Sequence, residues 1–309
     1  MNSKTLLYIV KRLLLAVLTV WVVITVTFFA TRAVPGGPFA SEKAITPAAK
    51  AALEAKYGLD KPVLEQYTTY LKDIVLHFDF GPSLKQRGRQ VIDVITDGLK
   101  TSAKLGVIAA FASLICGVVL GAIAALRRNK VIDRVIMVIT TAFVSMPSFI
   151  MGSFLLIIFS VRLGWLPANG TTAQGLVLPV ITLALYPTAY ITRLTRSSML
   201  DVLGQDYIRT AKAKGVPGKR IIFGHALKNS LIPVITYFGP MLAYIVTGSL
   251  VVEQIFAVPG IGRAFVNSII NRDYPLIMGT TIVLAALIVI MNLVGDILYK
   301  VVDPRINLE

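Results

Sequence analysis

The stretch DYIRTAKAKGVPGKRIIFGHALKNSLIP, residues 206–233, is a basic segment between two apolar runs that are long enough to cross a membrane. Gly215, Pro217 and Gly218 divide it into two short pieces, each with an apolar and a basic side at helical spacing. We therefore predict two short helices that meet at an angle outside the bilayer. Because Lys and Arg collect in cytoplasmic loops, this segment is predicted to face the cytoplasm.

The composition of the 309-residue chain indicates an integral membrane protein. Apolar residues make up 55% of the sequence, and the mean hydropathy is +0.74. The formal net charge of +15 is compatible with nucleic-acid binding, but the basic clusters lie beside apolar runs, where membrane topology explains them. The sequence therefore predicts a membrane-lipid environment and no nucleic-acid partner. The single cysteine, Cys116, excludes an intramolecular disulfide.

The predicted fold class is an all-α integral membrane protein with six transmembrane helices. Basic residues concentrate at the inner flanks, which predicts that both termini are cytoplasmic. The first apolar run exceeds the core of a signal peptide, so it is predicted to be a retained helix. The predicted spans are 13–30, 103–126, 131–161, 176–195, 231–252 and 276–299.

Three regions are predicted along the chain. Residues 1–32 form the N-terminus and first transmembrane helix, and residues 33–100 form a small extracytoplasmic helical insertion, where charges of both signs mix with apolar residues at helical spacing. Residues 101–309 form a core of five transmembrane helices that contains the cytoplasmic loop 199–230. Within this core, the spacing of Gly117 and Gly121 favours the close approach of another helix.

Motifs for catalysis are missing from the sequence. It has no phosphate-binding loop, since Gly218-Lys219 lacks the upstream glycine and is followed by Arg220. The two histidines form no metal-binding pattern, and the spans contain few ionisable residues that could relay protons. The sequence therefore predicts no catalytic, cofactor or metal site. A transporter with these features would need an external source of energy.

The segment 206–233 resembles the cytoplasmic signature loop of permease subunits of bacterial ABC importers. The general pattern is Glu-Ala-Ala, three residues, Gly, nine residues, then Ile-x-Leu-Pro, and Ala211, Gly215 and Leu227 match it. The variant DYIRTAKAKG followed by HALKNSLIP is very similar to the peptide and nickel branch of that family, and within it to the oligopeptide permeases. The N-terminal KRLLLAVLTVWVVITVTFFATRAVPGGPF and the stretch VPGIGRAFVNSIINRDYPL carry the same resemblance, which covers essentially the whole chain.

The resemblance implies the fold of a type I ABC importer permease in the bacterial cytoplasmic (inner) membrane. It implies four kinds of partner: a second homologous permease, two cytoplasmic ATPase subunits that use ATP and Mg, an extracytoplasmic peptide-binding protein, and membrane lipid. It implies oligopeptides as cargo, with dipeptides, glutathione, antimicrobial peptides or nickel as alternatives in the same branch. A stand-alone secondary transporter or channel and a membrane-embedded enzyme are the alternatives outside it.

The resemblance also implies which residues couple the chain to the ATPases. These residues lie in the loop and in the helix that follows its glycine: Arg209, Thr210, Ala211, Lys212, Ala213, Lys214, Gly215, Val216, Pro217, Lys219, Arg220 and His225. Gly215 is expected to end a helix in the left-handed conformation, which glycine adopts without a Cβ penalty.

Overall fold

The computed structural model describes residues 3–35, 37–39 and 47–302. Within these residues the chain is helical, apart from turns and one isolated antiparallel bridge between Pro82 and Gln90. The helices, two of which are π-wound, are α1 Ser3–Ala33, α2 Pro47–Lys56, α3 Val63–His77, α4 Val91–Leu126, α5 Val131–Ser145, α6 Ser148–Leu155, π1 Leu156–Arg162, α7 Val177–Leu203, α8 Asp206–Ala213, α9 Gly218–Arg220, π2 Ile221–Leu227, α10 Lys228–Ser230, α11 Ile232–Val246, α12 Leu250–Ile255, α13 Ile261–Ile270 and α14 Tyr274–Val302.

The predicted all-helical membrane fold is confirmed. Four helices, namely α1, α4, α7 and α14, are long and apolar enough to cross a membrane, and the number rises to six if each of two bent helix pairs is one span. Within the predicted helical insertion 33–100, the structure has α2 and α3. Residues 1–2 and 303–309 at the termini, and residues 40–46 in the predicted insertion, lie outside the described residues.

The third predicted span, 131–161, is not one helix. It consists of α5 and the continuous pair α6–π1, which meet at a bend of 108°. Pro147 causes the break because it lacks a backbone N–H and disfavours the helical conformation of the residue before it. Met146 is accordingly extended, with φ −92° and ψ 127°. A proline inside the predicted span 131–161 is compatible with a kink, and the structure has a full break.

The predicted bounds of three other spans also change. The fifth, predicted as 231–252, ends in the structure with α11 at Val246, because Gly248 turns the chain with φ +95° before α12 begins. The second begins earlier than predicted, since α4 starts at Val91 and runs through residue 100 without a break. The fourth extends past Thr195 to Leu203.

The chain forms two compact units, and the first comprises residues 1–101 and 259–289. Its core is built from large apolar side chains of α1, α4, α13 and α14, with the tyrosines of α3 packed against them. Asp273, which directly precedes α14, is buried and accepts hydrogen bonds from the backbone N–H groups of Leu84 at 3.1 Å and Leu276 at 3.4 Å, and from the hydroxyl of Ser83. This carboxylate fixes the loop around Ser83 to the start of α14.

The second unit comprises residues 102–258 and 290–309, and small residues let its helices pack closely. A Cβ at Gly121 of α4 would lie 2.6 Å from the carbonyl oxygen of Thr192 and 2.6 Å from the Cβ of Thr195, both on α7. A Cβ at Gly117 of α4 would lie 2.6 Å from the side chain of Ile191, which is also on α7. The predicted close approach at these glycines is therefore confirmed, and the neighbour is α7.

An ion pair joins α5 to α7 within this second unit. Arg196 donates from Nε to Oδ1 of Asp133 at 2.6 Å and from Nη2 to Oδ2 at 2.8 Å. The backbone N–H of Asn129 donates to the same carboxylate at 2.8 Å. Because the Asp133 side chain is only 4% exposed, this two-point contact fixes the start of α5 against α7.

Candidate coupling loop

The first helix of the loop, α8, has one buried anchor and an exposed basic side. Ile208 is completely buried, whereas Arg209 and Lys212 are exposed. Asp206 lies in the first turn, where a negative charge interacts favourably with the helix dipole, and its backbone carbonyl accepts a hydrogen bond from the Thr210 hydroxyl at 3.0 Å. The helix therefore presents cations outward from a single apolar contact.

The turn after α8 is a Schellman motif centred on Gly215. The backbone N–H of Val216 donates to the carbonyl of Ala211 at 3.1 Å, and the N–H of Gly215 donates to the carbonyl of Lys212 at 3.0 Å. Gly215 has φ +72°, the left-handed conformation expected from the sequence, and no atom lies within 4 Å of a Cβ placed on it. Its conformation, rather than a neighbouring side chain, requires glycine here.

The second helical piece begins after Pro217 and runs continuously through α9, π2 and α10. Its central part is π-wound, where the sequence predicted an ordinary helix. Ile221 and Ala226 are buried on its inner side. Ala226 lies in one apolar cluster with Ala125 at the end of α4 and Met199 near the end of α7. The inner side of the loop is thus attached to the ends of two long helices.

One side-chain hydrogen bond links the two pieces of the loop. The amide of Asn229 donates from Nδ2 to the phenol oxygen of Tyr207 at 2.9 Å. The sequence did not identify these two residues as part of the site, whereas the buried Ile208 and Ile221 lie on the apolar sides that it predicts for the two pieces. The apolar spacing of the isoleucines is a usable signal for burial. No sequence pattern near residue 207 or residue 229 indicates that the two side chains meet.

The predicted coupling residues divide by exposure. Ala211, Val216 and His225 are half-buried, while the rest are exposed: Arg209, Thr210, Lys212, Ala213, Lys214, Gly215, Pro217, Lys219 and Arg220. Of the five cations in this group, only Arg209 has an ion-pair partner within the described part of the chain. That partner is Asp206, at 3.3 Å, and both side chains are largely exposed, so the pair is weak. The loop therefore presents a basic surface.

The described residues contain no group of three or more His, Cys, Asp or Glu side chains placed to hold a metal ion. The loop has exposed cations and a turn on one side, and it makes apolar contacts with α4 and α7 on the other side.

Comparison with protein families places this chain in one class, the membrane subunits of binding-protein-dependent transport systems. The family described as "Binding-protein-dependent transport system inner membrane component" matches residues 117–308, and the N-terminal family of the same membrane components matches residues 5–106. The chain belongs to the inner membrane component family. It is a transport subunit, and its predicted identity as an importer permease is confirmed.

The relatives are named as peptide permeases. The chain is 45% identical to the oligopeptide transport system permease protein OppB of Haemophilus influenzae, over 97% of this chain and 99% of that protein. It is 44% identical to OppB of Escherichia coli K12, with the same coverage. It is 47% identical to the dipeptide transport system permease protein DppB of Bacillus subtilis, over 98% of each.

Two solved structures share the fold at low sequence identity. The inward-facing MetNI methionine ABC transporter matches with a TM-score of 0.53 and 18% identity, over 68% of this chain and 97% of that chain. An amino acid ABC transporter solved with histidines matches with a TM-score of 0.51 and 17% identity, over 70% of this chain and 95% of that chain. These likenesses support the fold of an ABC transporter membrane subunit.

Proposed function

We propose that this chain is the transmembrane permease subunit of an ATP-driven importer that moves oligopeptides across the cytoplasmic membrane. The observation that carries the proposal is the loop 206–228, with exposed cations on one side and buried contacts with α4 and α7 on the other. Relatives named as oligopeptide permeases, at 44–45% identity over nearly the whole chain, supply the cargo class.

The loop would act as the connection between ATP hydrolysis and helix movement. ATPase subunits would bind the surface formed by Arg209, Thr210, Ala211, Lys212, Ala213, Lys214, Gly215, Val216, Pro217, Lys219, Arg220 and His225. A displacement of that surface passes to α4 and α7 through the apolar cluster that includes Ala226. Because Gly121 lets the α4 backbone lie directly against that of α7, the two helices would move as one body.

The remaining partners follow from the same proposal. A second homologous permease would complete the passage, two cytoplasmic ATPase subunits would bind the ATP and Mg, and an extracytoplasmic peptide-binding protein would deliver cargo. Both termini and the loop would then face the cytoplasm, and the insertion 33–100 would face the opposite side. No cofactor would be bound by this chain itself.

Dipeptides are a second candidate cargo. The 47% identity to the dipeptide permease of B. subtilis favours it as much as the identities above favour longer peptides. Competition decides between the two: cells dependent on this chain take up a labelled tetrapeptide, and unlabelled dipeptides and tetrapeptides are added in equal concentration. Stronger competition by tetrapeptides supports oligopeptide cargo, and stronger competition by dipeptides assigns the shorter cargo.

The proposal as a whole is tested by ATP-dependent uptake. Deletion of the gene is expected to abolish uptake of labelled peptides, and the wild-type chain is expected to restore it. Collapse of the membrane potential with ATP maintained is expected to leave uptake intact. Uptake that follows the ion gradient and continues after ATP depletion would contradict the proposal and favour a secondary transporter.

A further inference from the structure

A cavity of about 260 Å³ lies within the first unit, away from the coupling loop. Its walls come from the C-terminal end of α1, from residues 57–61 before α3, from α3, from the segment around Asp79–Leu84 and from the start of α14. Five aromatic rings line it, together with six polar or charged side chains. Nothing in the proposed coupling mechanism uses this cavity.

Arg32 contributes an oriented cation to the cavity. Its Nε donates to Oε1 of Gln66 at 3.0 Å, and its guanidinium carbon lies 3.4 Å from the centroid of the Phe28 ring. Gln66 is itself fixed, because its Nε2 donates to the backbone carbonyls of Leu59 at 3.1 Å and Lys61 at 2.8 Å. Within the described residues no carboxylate forms an ion pair with Arg32. Arg32 is half-buried, and a buried charge is normally paired with an opposite charge. The Arg32 guanidinium therefore lacks a counterion within the described residues.

Tyr70 contributes a second donor to the same cavity. Its phenol oxygen is buried, and it has no hydrogen-bond partner among the described residues. Burial raises the pKa of Tyr70, so the group stays protonated and able to donate at neutral pH. A buried hydroxyl without a partner is costly, which indicates that an acceptor belongs next to it.

The other charged groups of the cavity leave one acceptor open. Lys61 is paired with Glu65 at 2.8 Å, and Asp79 accepts a hydrogen bond from the backbone N–H of Gly81 at 2.8 Å. Asp73, one turn after Tyr70 on α3, is half-buried and has no side-chain partner in the described part of the chain. Arg32 also donates from Nη1 to the carbonyl of Phe28 at 3.4 Å and to the hydroxyl of Thr31 at 3.5 Å, which leaves its Nη2 open. The cavity thus combines two open donors, Arg32 Nη2 and the Tyr70 hydroxyl, with the Asp73 carboxylate, which accepts no hydrogen bond in the described part of the chain.

We propose that this cavity binds the carboxyl-terminal end of a peptide. The terminal carboxylate lies against Arg32 and Tyr70, and Asp73 accepts a backbone N–H of the same peptide. The volume is below the roughly 300–1,000 Å³ of pockets for drug-sized ligands, so it holds one end of a peptide rather than the whole molecule. The choice of a peptide rests on the proposed function, whereas the choice of a carboxylate rests on Arg32 and Tyr70.

Equilibrium binding to the intact complex tests this site. The complex containing the full chain is placed in lipid nanodiscs without ATP and is titrated with N-terminally labelled trialanine or with its C-terminal amide. Arg32→Gln and Tyr70→Phe are expected to weaken binding of the free acid, Arg32→Gln by about tenfold or more, because hydrogen bonds to charged groups are strong. The amide is expected to bind the wild type as weakly as the acid binds Arg32→Gln.

The control is Arg87→Gln, since Arg87 is an exposed arginine of the same unit that does not line the cavity. This variant is expected to bind the acid like the wild type. Tyr70→Phe keeps the shape of the ring, so it tests the site even if Arg32→Gln fails to assemble. Equal binding of acid and amide, or unchanged binding by Tyr70→Phe and Arg32→Gln, would overturn the proposal.

A phospholipid headgroup could supply the same anionic oxygen, and native mass spectrometry separates the two sources. Loss of bound phospholipid in Arg32→Gln, with peptide binding unchanged, would assign the cavity to a headgroup and overturn the peptide. Peptide uptake is measured in parallel in cells that carry the wild-type chain or the same variants. Normal uptake without carboxylate-dependent binding refutes this site alone, while absence of peptide uptake by the wild type refutes the proposed function.

Discussion

At the scale of single residues, glycines account for two features that the sequence predicted well. Gly215 was expected to end a helix in a left-handed conformation, and it does so with φ +72°. Gly117 and Gly121 were expected to bring a helix close, and their Cβ positions lie within 2.6 Å of atoms of α7. Both predictions succeeded because the missing side chain acts locally, through backbone freedom or through close approach.

We expect Gly215→Val to uncouple ATP hydrolysis from peptide uptake. A β-branched residue is strained at this φ by about 1–2 kcal/mol, which favours unwinding of the turn between α8 and the second helical piece. Gly215→Asn is the matched control, because asparagine tolerates the left-handed conformation. The measurement is uptake and ATPase activity of the reconstituted complex. Normal uptake by a normally inserted Gly215→Val variant would contradict the role of this turn.

We expect Gly121→Ala to lower the thermal stability of the purified protein. The new Cβ would contact the Thr192 carbonyl oxygen at 2.6 Å, and overpacking of this kind costs about 1–3 kcal/mol. Gly218→Ala is the control, because nothing lies within 4 Å of a Cβ at that position. Thermal unfolding in detergent compares the two, and an equal midpoint for both variants would show that α4 and α7 are less closely packed than described.

At the scale of helices, the sequence located the elements better than their breaks. An internal proline is compatible with a kink and with a full break, so Pro147 alone did not predict the 108° bend after α5. The start of α4 was missed because its first two turns carry Asp93 and Asp97, which a hydropathy window excludes from a span. These first two turns are helical although they are too polar to be counted as part of a span.

The ion pair between α5 and α7 leads to a prediction at this scale. Asp133→Asn is expected to destabilise the protein by about 1–3 kcal/mol, because it weakens a buried, two-point contact with Arg196. Asp206→Asn is the control: its pair with Arg209 is exposed, and such pairs contribute about 0–1 kcal/mol. Denaturation of both variants in the same detergent measures the difference. A loss for Asp133→Asn no larger than for Asp206→Asn would refute the structural role of this pair.

At the scale of the whole molecule, hydropathy and charge were sufficient to predict a helical membrane protein. The described residues contain four helices that could span a membrane, or up to six if each bent pair is one span. The side of the membrane on which each loop lies is a prediction from the distribution of Lys and Arg. Two tertiary features of the coupling loop were not predictable from the sequence. The hydrogen bond from Asn229 to Tyr207 and the cluster around Ala226 depend on tertiary contacts, which leave no periodic signal.

Cysteine accessibility tests the predicted orientation. In a Cys116→Ser background, a cysteine in place of Lys72 on α3 is expected to react with a membrane-impermeant maleimide in intact spheroplasts. A cysteine in place of Lys214 is expected to react only after the membrane is opened, because the coupling loop is predicted to be cytoplasmic. Both positions are exposed, so a cysteine at either one is accessible to the reagent on its own side of the membrane. The reverse pattern would invert the topology and move the loop away from any cytoplasmic ATPase.

Copurification tests the central claim most directly, that separate ATPases bind the basic loop. The tagged chain is extracted from its native membrane in mild detergent, beside a Lys212→Glu, Lys214→Glu, Lys219→Glu variant and an Arg87→Glu control. We predict that the wild type and the control retain a second permease, ATPase subunits and ATP hydrolysis, whereas the triple variant keeps the second permease and loses the ATPases. A wild-type chain that purifies without any ATPase, or a triple variant that retains them in full, would contradict the account.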